Sequence, residues 1–121
     1  MSELRRDPIV GRWVIVDTDH PSKPEDFEHE DHGWRGGVCP FCYGNEALTP
    51  PEIEAIRDPH TSPNTSGWQV RVVPNKFPAL QIEGDLERRG LGIYDMSNGV
   101  GAHEVLIDSP YHHKDIPDLL N

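Results

Sequence analysis

The sequence has no long apolar run and few basic residues. No window approaches the roughly 18 apolar residues of a membrane-spanning helix, and residues 1–8 lack the apolar core of a signal peptide. Lys and Arg number 11 against 21 Asp and Glu, so the formal net charge is −10. Such a surface repels nucleic-acid backbones and anionic membranes, and we expect neither as a partner. A small phosphorylated ligand is not excluded, because local cationic and N–H groups can bind it. We expect a cytoplasmic protein.

Apolar residues and cysteines are also scarce. The 121 residues are 35% hydrophobic and include 12 Pro and 11 Gly, which is thin for a self-sufficient globule, so we expect part of the core to come from outside the chain. Cys39 and Cys42 are the only cysteines, two residues apart. In a cytoplasmic protein, a lone pair with this spacing is more typical of a metal or redox site than of a structural disulfide.

The pattern of apolar residues predicts about five or six strands and an α+β fold with an antiparallel sheet. β-branched and aromatic residues favour strands, which we place at residues 3–6, 12–17, 49–56, 68–73 and 102–108. The first two form a hairpin around a turn that contains Pro8 and Gly11.

Polar, Pro-rich and Gly-rich segments predict long loops between the strands. They cover residues 18–37 and 58–67, and residues 44–46 are typical of a turn. We interpret His29 and His32 as part of a solvated acidic loop rather than as metal ligands. Residues 115–120 predict the beginning of a helix capped by Asp115.

Zinc is the interpretation of the cysteine pair that we favour. Zinc binds four ligands in a tetrahedron, and Cys39 and Cys42 would supply two thiolates. The third ligand should stand where geometry is firm, at the end of a strand, which selects His112 or His113. His103 begins that strand, roughly 30 Å away if the strand is extended, and should not share the ion. A thioredoxin-like redox pair and two ordinary thiols stay open as alternatives, although the glycines around the pair make a poor helix for the redox motif.

Four stretches of the chain, in order, resemble the N-terminal part of the galactose-1-phosphate uridylyltransferase family, within the histidine-triad superfamily. They include Cys-Pro-Phe-Cys, Val-Pro-Asn-Lys-Phe-Pro and Ser-Pro-Tyr-His, and together they span residues 5–16, 39–45, 70–80 and 101–112. Each stretch is modest alone, but four in sequence order are specific. The resemblance implies that residues 1–121 are an incomplete N-terminal part of a histidine-triad-like domain, carrying its zinc-binding and nucleotide-binding residues.

The resemblance also implies an activity. Members exchange a nucleoside monophosphate between sugar phosphates: UDP-glucose transfers UMP to an enzyme histidine and releases glucose 1-phosphate, and galactose 1-phosphate then takes the UMP. The implied partners are a nucleoside diphosphate sugar, a hexose 1-phosphate and a second copy of the chain as a homodimer. Some relatives transfer an adenylyl group instead, so the base is left open.

Residue by residue, the resemblance implies a site with three kinds of contact. Zinc would be bound by Cys39, Cys42 and His112; the nucleoside would be bound by Phe41, Asn75, Lys76 and Phe77; and Lys23 falls near a phosphate-binding arginine of the family. The resemblance thus selects His112 over His113 as the third zinc ligand. Asn75 and Phe77 are also residue types that commonly serve as a turn residue and a core residue.

The chain departs from the family pattern at three points. The loop at residues 20–24 has no arginine where classical members have two, and Lys76 stands where they commonly have an acidic residue. The His-Pro-His motif, which supplies the fourth zinc ligand and the nucleophile, is absent and is expected beyond Asn121. Two other hypotheses are therefore kept, a small zinc-stabilised binding domain without enzymatic activity and a thiol redox module.

Overall fold

A computed structural model describes residues 2–27 and 37–119, and these form two compact units. The first unit comprises residues 2–27 and 79–103, and the second comprises residues 37–78 and 104–119. In both ranges, no helix has the length and apolar character needed to cross a membrane. Much of the loop expected at residues 18–37, including His29 and His32, lies outside the described residues.

The described residues contain seven strands, one or two more than the sequence predicts. They are β1 (Ser2–Arg6), β2 (Trp13–Asp17), β3 (Glu54–Arg57), β4 (Trp68–Pro74), β5 (Arg89–Leu91), β6 (Tyr94–Asn98) and β7 (Glu104–Ile107). All strand pairings within the two sheets are antiparallel, as predicted.

The first unit is built on a four-stranded sheet with the order β2-β1-β6-β5. The predicted hairpin of β1 and β2 is confirmed. Its turn is closed by a hydrogen bond from the Asp7 amide to the Arg12 carbonyl (2.7 Å), and Asp7 Oδ1 accepts the Ile9 amide (2.8 Å). Gly11 completes the turn with φ of 73°, in the left-handed region that glycine adopts readily.

The second unit is built on a three-stranded sheet with the order β3-β4-β7. Trp68 and Val73 on β4 are 1% exposed and pack with Ile107 in a small core. The register shifts at one point, because Ile56 pairs with Val70 while Arg57 pairs with Trp68, which leaves Gln69 as an extra residue on β4. This β-bulge offsets the alternation of the strand by one residue, and Trp68 is therefore buried like Arg71 and Val73.

Helical structure is limited, so the α part of the predicted fold class is only partly borne out. Residues 2–27 and 37–119 contain no α-helix, and their helical residues form three short 3-10 helices at Pro24–Phe27, Glu46–Leu48 and Ile116–Leu119. The last falls where the sequence predicts the beginning of a helix. Asp118 closes this turn through its amide, which donates to the Asp115 carbonyl (2.9 Å). A single 3-10 turn is the described extent of that helix.

Candidate metal centre and adjoining cavity

The two cysteines lie on a turn whose backbone is closed by local hydrogen bonds. The Cys42 amide donates to the Cys39 carbonyl (3.3 Å), and the Asn45 amide donates to the Cys42 carbonyl (3.1 Å). The Asn45 side chain also donates to the Cys39 carbonyl (2.8 Å). Gly44 has φ of 88°, which a residue with a Cβ rarely adopts. These contacts fold residues 39–45, called the metal loop below, into a compact bend that directs both thiols to one side.

His112 joins the two thiols from the segment that follows β7. The Ser109 hydroxyl accepts the Tyr111 amide (3.0 Å) and turns the chain after the strand. His112 Nδ1 then lies 3.3 Å from Cys42 Sγ, and the ligand atoms of Cys39, Cys42 and His112 all lie within 4.8 Å of one another. His113 stacks edge-on against His112, with ring centroids 5.0 Å apart, and does not belong to this group. Of the two histidines that the sequence left open, the structure brings His112 to the cysteines.

The three donors fit a tetrahedral metal ion. With Zn–S of about 2.3 Å and Zn–N of about 2.0–2.1 Å, a tetrahedron separates a sulfur from a nitrogen by roughly 3.6 Å and two sulfurs by roughly 3.8 Å. The observed 3.3 Å between Cys42 and His112 is close to that value. Burial raises the pKa of the Cys42 thiol, and the neighbouring Cys39 raises it further. A divalent cation would act in the opposite direction, because it deprotonates a coordinating thiol. The cluster can therefore hold a metal ion and is compatible with zinc.

An apolar cavity of about 150 Å³ adjoins the metal loop. Its lining includes the four residues that the resemblance assigns to the nucleoside, Phe41, Asn75, Lys76 and Phe77. Phe77 is 81% exposed, so it is not a core residue of the described chain. Its amide donates to Asn75 Oδ1 (2.9 Å), and Lys76 Nζ lies 5.9 Å from the Phe77 ring centroid. The structure thus brings the four residues together around one cavity; their role towards a nucleoside stays a prediction.

Two other candidate residues belong to the first unit. Lys23 precedes the 3-10 helix at Pro24–Phe27, and its amide donates to Asp26 Oδ2 (2.8 Å). Its predicted contact with phosphate stays a prediction. His103, for which the sequence left a ligand role and a structural role open, accepts the Ala79 amide at Nδ1 (2.9 Å).

A buried carboxylate next to the metal loop was not predicted from the sequence. Glu46 is 5% exposed, and its carboxylate accepts hydrogen bonds from the Trp68 indole (3.1 Å), the Ser66 hydroxyl (3.0 Å) and the Gly44 amide (3.0 Å). Burial by itself disfavours the ionised form, but the hydrogen bonds outweigh burial and hold the pKa of Glu46 below its usual value. Glu46 is therefore an ionised acid that connects the metal loop to β4.

A second unpredicted group supports the cavity wall. Arg71 on β4 is fully buried and donates to Glu52 Oε2 (2.7 Å), Thr49 Oγ1 (2.8 Å) and Asn64 Oδ1 (3.1 Å). Arg57 donates to both oxygens of Glu52 (2.8 and 2.9 Å). Thr49 lines the cavity, so this network fixes part of the wall. The sequence offers one weak signal for this buried network, a single charged residue inside the apolar run of β4.

Comparison with known proteins identifies relatives of this chain. No protein-family model matches it. The chain is 34% identical over 122 residues to ADP-glucose phosphorylase of Arabidopsis thaliana, an alignment that covers 97% of this chain and 33% of the relative. The chain thus spans about a third of that relative's length.

Two solved structures from Arabidopsis thaliana are also similar. An ADP-glucose phosphorylase with bound ADP-glucose is 33% identical, with a TM-score of 0.49, over 98% of this chain and 32% of the other. A galT-like protein is 34% identical, with a TM-score of 0.42, over 92% of this chain and 28% of the other. These relatives are enzymes. On the sequence match, this chain is similar to a segment of the galactose-1-phosphate uridylyltransferase-like proteins.

Proposed function

We propose that this chain is the zinc-binding and nucleotide-binding part of a hexose-1-phosphate nucleotidylyltransferase, and that its nucleotide sugar is ADP-glucose. The similarity to an ADP-glucose phosphorylase supports the reaction class. The name of the relative, ADP-glucose phosphorylase, supports an adenylyl donor in preference to the UDP-glucose and galactose 1-phosphate pair of the classical family members. The missing arginines at residues 20–24 and the lysine at position 76 agree with a substrate that differs from the classical one.

The observation that carries this proposal is the position of Phe41. It lies between the two cysteines and lines the cavity together with Phe77. The cavity is smaller than the roughly 300–1,000 Å³ of a site that holds a whole drug-sized ligand. Its size and its apolar walls suit one flat ring of a larger ligand, such as the base of a nucleotide. Asn75 and Lys76 would supply polar contacts to the base or the ribose.

Zinc would have a structural role in this site. Cys39, Cys42 and His112 would hold the ion, and the ion would supply a cross-link between the metal loop and the segment after β7. Because Phe41 belongs to that loop, the cross-link would hold one wall of the cavity in place. The chain's own residues would therefore bind and orient the nucleotide.

The transfer step would use a histidine that the protein supplies outside these 121 residues. In the reaction that we propose, an imidazole nitrogen bonds to the α-phosphorus of ADP-glucose while the bond from that phosphorus to the departing glucose 1-phosphate oxygen breaks. The adenylyl group would then pass from the histidine to an acceptor phosphate. Incubation of the full-length protein with ADP-glucose and UDP-glucose, followed by mass measurement, tests the adduct. Failure of both donors to label folded protein would contradict the covalent mechanism.

The nucleotide-binding role is tested by calorimetric titration of zinc-loaded protein with ADP-glucose, UDP-glucose and glucose 1-phosphate. We expect ADP-glucose to bind most tightly. Phe77→Ala should weaken its binding by about 1–3 kcal/mol, or roughly five- to 150-fold, because a base stacked on an aromatic ring contributes about that much. Ile56→Ala is the matched control, since Ile56 is 61% exposed and lies outside the cavity lining. Equal losses in the two variants would contradict a base site at Phe77.

A further inference from the structure

The Glu46 carboxylate receives hydrogen bonds from two different parts of the second unit. One donor is the Gly44 amide, which belongs to the metal loop and lies two residues after Cys42. The other two, the Trp68 indole and the Ser66 hydroxyl, belong to β4 and to the segment that enters it. Glu46 is not one of the three potential metal ligands, because all its described bonds are directed towards these donors. It therefore connects a loop that carries ligands to a buried strand.

The neighbours of Glu46 reinforce the same connection. The Tyr43 ring packs edge-on against Trp68, with centroids 5.3 Å apart, and the Tyr43 hydroxyl donates to the Trp68 carbonyl. Asn45 donates back to the Cys39 carbonyl. The metal loop is thus held in its bend by protein groups alone. A ligand set held in this way loses less conformational freedom when an ion binds, which strengthens binding.

We propose that Glu46 is a positioning residue for the metal centre: its carboxylate, bonded at once to Gly44 and Trp68, fixes the metal loop in the conformation that binds the ion. This inference rests on the proposed zinc site and adds to it a residue that is neither a ligand nor a wall of the cavity. The ordering of the loop occurs when the protein folds and not when the metal arrives.

Glu46→Gln is the informative substitution because it keeps the shape and removes one acceptor. A glutamine has a single carbonyl oxygen and an NH₂ group that only donates. If the oxygen faces Trp68, the NH₂ group meets the Gly44 amide. If the oxygen faces Gly44, the NH₂ group meets the Trp68 indole. Either arrangement sets two donors against each other in a buried place, so the metal loop must separate from β4 to relieve the conflict.

The test measures Zn²⁺ and Co²⁺ affinity by competition with a chromophoric chelator. We expect Glu46→Gln to weaken both by roughly ten- to hundredfold, the usual effect of losing a group that orients metal ligands. At saturating Co²⁺, the thiolate-to-metal charge-transfer band should persist, because the ligands are unchanged. Ser66→Ala removes one exposed donor and should weaken binding by about two- to tenfold, which keeps the test informative if the Gln variant folds poorly.

Ile107→Val is the control for general destabilisation, since it removes one methyl group from the core that contains Trp68 and leaves the metal loop unchanged. In metal-free wild-type protein, the Trp68 indole proton should already exchange slowly in an NMR experiment. Absence of metal binding to the wild type would overturn the proposed zinc site itself. Tight wild-type binding with unchanged affinity in Glu46→Gln would overturn the positioning role alone. The positioning role would also be overturned if Ile107→Val weakened metal binding as much as Glu46→Gln does.

Discussion

Glu52 is the acid on which the buried arginines of the second unit depend. Its side chain is 5% exposed and bonds to Arg71, which is 1% exposed at the side chain, and to Arg57, which is 12% exposed. Glu52→Gln removes the negative charge but keeps one oxygen that can accept a hydrogen bond. Both arginines would then stay inside the unit without a charged partner.

The size of the effect follows from burial. Removing one partner of a buried ion pair destabilises a protein by about 3–5 kcal/mol. Because glutamine still accepts one hydrogen bond, we expect about 3 kcal/mol for Glu52→Gln, a large share of the roughly 5–15 kcal/mol by which most domains are stable. Glu3→Gln is the matched control. Glu3 also contacts two arginines, Arg5 at 3.0 Å and Arg89 at 3.5 Å, but those side chains are 36% and 40% exposed, so about 1 kcal/mol or less is expected.

The pH dependence gives a second, independent measurement. Burial alone would raise the pKa of Glu52, but hydrogen bonds from the Arg71 side chain, the Asn64 backbone and the Arg57 side chain outweigh burial and lower the pKa. A carboxyl with a lowered folded-state pKa contributes its full stability above its unfolded value of about 4.3, and this contribution is lost as the pH falls through the folded-state pKa. The difference in stability between the wild type and Glu52→Gln should therefore shrink in acid.

Urea denaturation followed by circular dichroism, repeated from neutral pH into the acid range, measures both effects. We expect a large loss for Glu52→Gln at neutral pH, a small loss for Glu3→Gln, and convergence of the wild type with Glu52→Gln at low pH. Equal losses in the two variants at neutral pH would refute the argument that burial sets the magnitude. A difference that stays constant through the acid range would refute the lowered pKa.

Two further substitutions test local geometry. His112→Ala should reduce zinc affinity at least tenfold in chelator competition while His113→Ala leaves it nearly unchanged, because only His112 places a ring nitrogen near the thiols; equal effects would contradict the ligand assignment. Gly67→Ala should lower the free energy of unfolding by roughly 1–3 kcal/mol, since φ is 103° and a Cβ would lie 2.4 Å from Cγ2 of Thr61. The loss should be smaller in a Thr61→Ser background, which removes that methyl group, and denaturation of the single and double variants measures the difference.

Local sequence patterns predicted the strands that carry an apolar run or follow a recognisable turn. The apolar run of β4 and the turn chemistry around Pro8 predicted β4 and the first hairpin correctly. The hairpin of β5 and β6 was missed, because residues 89–98 contain two glycines and alternate between apolar and polar residues only over the short stretch 94–97. β6 forms by pairing with β1, from Arg5 opposite Met96, and this contact between residues distant in sequence leaves no local pattern.

The residues of the site divide in the same way: local sequence indicates some of them, and others are defined only by contacts with residues distant in sequence. The spacing of Cys39 and Cys42 indicates a metal loop by itself, and the strand end narrows the third ligand to two histidines. Glu46 was not found, because residues 44–46 predict only a turn and, apart from Gly44, the donors to its carboxylate lie 20 and 22 residues away. Burial of a charged residue depends on which distant groups meet it, so composition and spacing cannot reveal it.

The bulge at Gln69 has a consequence for how the site tolerates changes of chain length. The Trp68 indole donates a hydrogen bond to Glu46, and the Arg71 guanidinium donates one to Thr49. These two donors on β4 are three residues apart. In a regular strand, residues three apart face opposite sides. The unpaired residue brings both to one side. Deleting Gln69 would leave Trp68 and Arg71 two residues apart in a regular strand, so both hydrogen bonds would stay on that side and the site should tolerate this change of chain length.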